Sequence, residues 1–66
     1  MYDNLKAEMA RKGYTVRSLA KLIGVHENTL YRKVEGKTEF KLDDMMSIKT
    51  VMQADEPLEY LFKKGE

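Results

Sequence analysis

The chain has no cysteine, one histidine, one proline and four glycines, and no long apolar run. Without cysteine there is neither a disulfide framework nor a thiolate metal cluster, so a domain of 66 residues must be held by packed helices or by self-association. A single histidine and no thiol also leave no nucleophile–base relay and no zinc-binding set. Two carboxylate pairs, Asp43 with Asp44 and Asp55 with Glu56, fall at expected helix starts, where capping and the helix dipole account for them. The reading is a chain that is not an enzyme and takes no cofactor, metal or small-molecule ligand. No stretch approaches the roughly 18 apolar residues of a membrane span. The first ten residues include Asp3 and Glu8 where an export signal has a basic and then an apolar segment. A soluble, cytoplasmic chain with no membrane partner is expected.

What is present is 42% hydrophobic and 35% charged residues, rich in helix formers. The net charge of +1 hides an asymmetry: residues 1–41 carry nine basic and five acidic side chains, and residues 42–66 carry three basic and six acidic. Such a division suggests one face built for a polyanion, although two ordinary solvated faces would produce it as well.

Apolar spacing resolves five short helices and no strand, since the β-branched residues do not alternate. The first covers residues 3–12, with Tyr2, Leu5 and Met9 on one stripe and Lys6, Glu8 and Arg11 between them. Gly13 ends it. Thr15 then caps a helix whose apolar positions are Val16, Leu19, Ala20, Leu22 and Ile23, closed by Gly24. A third helix starts near residue 26 or 27 and runs to 34 on Leu30 and Val34, and Gly36 terminates it. Phe40 anchors the loop that follows. The fourth, over residues 42–52, has Leu42, Met45, Met46, Ile48 and Met52 as its buried stripe. A fifth opens at Asp55 or Glu56, with Pro57 in its first turn and Leu58, Leu61 and Phe62 inward. Residues 63–66 form a polar tail. The whole, residues 1–66, is one all-α domain.

Two helices of about eight residues joined by a Gly-containing turn have helix-turn-helix geometry, here over about residues 15–35, and the second helix of such a pair can enter the DNA major groove. The string Thr15, Leu19-Ala20, Gly24-Val25, Leu30 and Gly36-Lys37 resembles the phage repressor and Cro-like (Xre-type) family of small helix-turn-helix proteins. The likeness continues through Phe40-x-Leu42 and the ending from Pro57 to Phe62, and residues 29–33 are similar to the recognition helix of small prophage-encoded members. Two positions depart from the family: Val16 stands where Gln often anchors a phosphate, and His26 where Ser or Thr often caps. The resemblance implies a compact, lambda-repressor-like five-helix domain that binds operator DNA as a transcription regulator.

At about 100° per residue, Leu30 and Val34 face the core while Asn28, Tyr31 and Arg32 face away. Arg can bond both acceptors of guanine, Asn the donor and acceptor of adenine, and Tyr can meet a thymine methyl or a phosphate. Glu27 can accept from cytosine or simply complement the helix dipole. Tyr31 could instead be a half-buried rim residue, and Arg32 a partner for Glu35 or Glu39. Arg17, His26, Lys33, Lys37, Thr38 and Lys41 are the candidate phosphate contacts. One such helix reads about four or five base pairs, so a dimer on an inverted repeat of double-stranded DNA is expected, with Leu58, Tyr60 and Phe62 of the last helix as its candidate surface or, alternatively, as closure of the core. The competing function is a protein-interaction module of the same fold, such as an antirepressor or antitoxin-type partner, using Met-rich or C-terminal apolar surface.

Overall fold

A computed structural model describes residues 1–65, and its helices are α1 (Asp3–Lys12), α2 (Val16–Ile23), α3 (Glu27–Val34), α4 (Leu42–Met52) and α5 (Leu58–Leu61). Among these residues there is no strand, and no helix is long and apolar enough to cross a membrane. Of the expected polar tail, Glu66 lies outside the described residues.

The first four helices begin and end where the sequence punctuates them. The Thr15 hydroxyl accepts the Ser18 N–H at 3.1 Å, and the Ser18 hydroxyl accepts the Thr15 N–H at 2.9 Å, a reciprocal cap that satisfies donors the helix start would otherwise leave free. Thr15→Ala is expected to cost about 1 kcal/mol, lowering the thermal midpoint by about 4–8 °C; a circular dichroism melt measures it. Gly24 closes α2 at φ 79°, a left-handed conformation that a side chain would strain, and the N–H groups of Gly24 and Val25 both reach the Ala20 carbonyl. Three residues thus turn the chain from α2 into α3.

Leu5 and Met9 of α1, Leu19 and Ala20 of α2, Leu30 and Val34 of α3, and Ile48 and Met52 of α4 form one core with Tyr2. Ala20 is small and wholly buried where α2 lies against α3, since a longer side chain there would push the two helices apart. The rings of Tyr2, Phe40 and Phe62 pack edge to face, with centroids 5.1 Å apart for Tyr2 and Phe40 and 5.0 Å for Phe40 and Phe62. That cluster ties the N-terminus, the α3–α4 loop and the end of α5 together. Tyr14, packed against the core, donates its hydroxyl hydrogen to the Val51 carbonyl at 3.2 Å.

Several expectations require correction. Helix α4 buries Ile48 and Met52 and half-buries Met45 and Val51, but leaves Leu42 and Met46 exposed. These lie six and two residues before Ile48, about 120° and 160° round the helix from it, outside any single inward face. Leu22, 58% exposed, borders a shallow groove shared with Met46 between α2 and α4 instead of entering the core. Glu8, expected on the polar side, is buried, because Arg11 wraps its carboxylate with contacts of 2.7–3.0 Å. Helix α5 starts two or three residues later than expected, at Leu58: proline disfavours helical geometry in the residue before it, Glu56, and Pro57 itself is extended at the N-cap. Phe62 lies inward as expected, in the aromatic cluster, whereas Tyr60 is 48% exposed.

Candidate nucleic-acid interface

Helix α3 is held from behind by Leu30 and Val34, both buried, which decides what its other sides present. Glu27, Asn28, Thr29, Tyr31 and Arg32 are all exposed. The start of α3 at Glu27 puts Asn28 in the first turn, one turn ahead of Arg32, so the two share a face at helical spacing. Among the described residues none of Glu27, Asn28, Tyr31 and Arg32 makes a side-chain hydrogen bond or ion pair. The alternative of Arg32 pairing with Glu35 is not realised, since the Glu35 carboxylate takes the Lys6 ammonium at 3.2 Å. Tyr31, half exposed on α3, is an open side chain and not a rim residue tucked into the core.

The end of α3 folds over itself. The Gly36 N–H reaches the Lys33 carbonyl and the Lys37 N–H reaches the Arg32 carbonyl at 2.9 Å, with Gly36 at φ 80° and the Met1 side chain lying on it. The left-handed φ is the reason this turn lacks a side chain, since the exposed Met1 side chain lying on it can move aside. The turn carries Lys37 and Thr38 outward immediately beyond the reading helix, and Lys41 follows at the N-cap of α4; all three are exposed.

Cations divide into two populations. Lys6 pairs with Glu35, Arg11 with Glu8 and Lys33 with Asp44, while Lys12 and Lys49 donate to the carbonyls of Gln53 and Glu56. By contrast Arg17 and Lys21 on α2, Arg32 on α3, Lys37 and Lys41 beyond it, and Lys63 and Lys64 after α5 are exposed and have no such partner among the described residues. Charge left unneutralised on one element group attracts a polyanion; charge already paired contributes little to that field. Lys21 was not singled out from the sequence, although it lies four residues after Arg17 and so on the same side of α2.

His26 occupies the N-cap of α3, yet its side chain makes no capping bond. Lys33 departs furthest from expectation. Its ammonium meets Asp44 Oδ2 at 2.6 Å with the two side chains only 14% and 21% exposed, so the structure turns it toward α4 and away from the free cations. The hydrogen bond from Lys33 holds the Asp44 carboxyl below the usual carboxylate range; partial burial opposes this, and the Lys41 N–H adds to it. The Arg11 hydrogen bonds lower Glu8 in the same way. A carboxylate with a depressed native pKa stabilises above its unfolded pKa, and that contribution disappears as pH falls through the native value. The thermal midpoint is therefore expected to hold steady from neutrality down to about pH 5 and to fall below it, with E8Q showing a shallower fall in melts across a pH series.

The sequence profile of the Cro/C1-type helix-turn-helix DNA-binding domain matches residues 4–54, which takes in α1 to α4 and both halves of the reading pair. The chain belongs to that family. No curated protein and no solved structure matches it. Membership makes it a DNA-binding helix-turn-helix domain.

Proposed function

We propose that this chain is a sequence-specific, double-stranded-DNA-binding transcription regulator of the phage repressor and Cro-like type, encoded by a prophage or similar element and acting in the cytoplasm on the nucleoid. The observation that carries the reading is the set of exposed cations without a partner on and beside the helix-turn-helix, Arg17, Lys21, Arg32, Lys37 and Lys41, while Lys6, Arg11 and Lys33 are held in ion pairs. Arg32 reads a guanine, Asn28 an adenine, Tyr31 a thymine methyl or adjoining phosphate, and Glu27 a cytosine amino group. Arg17, His26, Lys37, Thr38 and Lys41 grip the backbone on either side of the groove and set register without carrying sequence information. Residues 1–66 act as one domain.

One α3 contacts too few base pairs to select a site in a genome, so two copies bind half-sites of an inverted repeat one helical turn apart. With Phe62 engaged in the aromatic cluster, Tyr60 is the large side chain of the last helix left to meet a second copy. The competing reading, a protein-binding module, draws support from exposed Leu22, Leu42 and Met46. Affinity for a labelled duplex across a salt series separates the two. Four to six neutralised phosphates per subunit give a log–log slope of about −4 to −5. In the same titration Lys37→Ala is expected to weaken all duplexes alike and flatten the slope by about one unit. Absence of duplex binding at low salt would favour the protein-binding module.

A further inference from the structure

Lysines that grip phosphates pull equally on every DNA sequence, and what a regulator needs is a ratio between its site and all others. Lys33 stands beside those cations and is withheld from them. It follows Leu30 by three residues, about 60° round α3, so its stem runs along the flank that meets α4 and not with Asn28 and Arg32. There its ammonium is taken by Asp44, which also accepts the Lys41 N–H at 3.1 Å. One oxygen, Asp44 Oδ2, thus accepts from both the backbone at the start of α4 and the last turn of α3. Among the described residues this is the one hydrogen bond or ion pair that joins α3 to α4. Helix α2 packs closely against both α3 and α4.

Resting on the DNA-binding reading above, we propose that Asp44 is a specificity-determining residue that acts through Lys33. It cancels one of the lysines at the edge of the reading helix, keeping that charge off the DNA backbone, and holds the 37–41 segment that presents Lys37, Thr38 and Lys41. A free Lys33 would add a phosphate contact to every sequence the protein meets, strengthening non-specific binding more than operator binding. Removing the carboxylate therefore makes the protein bind DNA more tightly and choose less well.

The test measures binding of a labelled mixed-sequence duplex, and of a duplex enriched by selection, across a salt series. The proteins are wild type, K33M, D44N and K33M/D44N, each checked by its circular dichroism melt. K33M is expected to keep the wild-type salt slope, because Lys33 touches no phosphate. D44N steepens the slope by about 0.9 unit and lowers the ratio of selected to mixed-sequence affinity. The double variant returns to the wild-type slope, which a purely structural role for Asp44 would not produce. A K33M slope flattened by about one unit would place Lys33 on a phosphate and overturn the proposal, a result that stands even if D44N does not fold. A folded D44N with unchanged slope, or a double variant as steep as D44N, overturns it as well. Wild type that binds neither duplex overturns the DNA-binding reading itself and this inference with it, a failure recognisable because it precedes any variant.

Discussion

Replacing Leu30 with alanine is expected to leave the chain largely unfolded at 25 °C. Leu30 is 1% exposed and sits in the core with Val34, Leu19 and Ile48. Truncating such a leucine costs about 2–5 kcal/mol, the transfer of the lost methyl groups plus the cavity they leave. A core in a chain this short supplies no more than about 3–5 kcal/mol of net stability. Loss and reserve are therefore of the same size, and the far-UV circular dichroism of Leu30→Ala should show little helix where wild type melts cooperatively. A variant that melts like wild type would mean that α3 is seated by something other than this side chain. The same substitution at exposed Leu22 should leave the melt nearly unchanged, because that side chain lies half out in a groove.

Arg32→Ala is expected to act on recognition and hardly on folding. The guanidinium is exposed and free of protein partners, so nothing in the fold depends on it. A bidentate contact to guanine contributes about 1–3 kcal/mol of discrimination against the wrong base. Its loss should erase preference at one base pair of each half-site, costing about tenfold or more in affinity for the selected sequence, with the preferences at neighbouring pairs retained. Lys37→Ala should do the reverse, weakening every sequence by the same factor. Competition binding against single-base variants of the selected site distinguishes these patterns. If Arg32→Ala lowers affinity for all variants equally, Arg32 holds a phosphate and the base-reading set shrinks to Asn28, Tyr31 and Glu27.

The parts of this molecule that were legible in its sequence are those governed by local rules. Thr15, Gly13, Gly24 and Gly36 cap or terminate helices through backbone chemistry, and the end of α1, both ends of α2 and the end of α3 follow from them. Leu30 and Val34 face inward because their spacing allows nothing else, and the outward trio Asn28, Tyr31 and Arg32 follows from that. What stayed hidden depends on which helix lies beside which. Glu8 is buried only because Arg11 folds back over it, and the hydropathy of either residue alone says the opposite. Leu42 and Met46 look like core until the position of Ile48 on α4 is known. The pairing of Lys33 with Asp44, eleven residues apart on different helices, gives no periodic signal, so the sequence alone does not separate Lys33 from the free cations. That Phe62 and Phe40 turn inward follows from the pattern, but that Tyr2 joins their cluster does not, because it lies at the other end of the chain.

The most direct test of the central claim is selection of binding sites from random duplexes by the wild-type protein, with Arg32→Ala run in parallel. The account predicts enrichment of an inverted repeat with half-site centres about one helical turn apart, and loss of a single base preference per half-site in the variant. No enrichment, with binding that vanishes at moderate salt, would contradict it: the DNA contact would then be electrostatic only, and the exposed side chains of α3 would have to be explained by a protein partner.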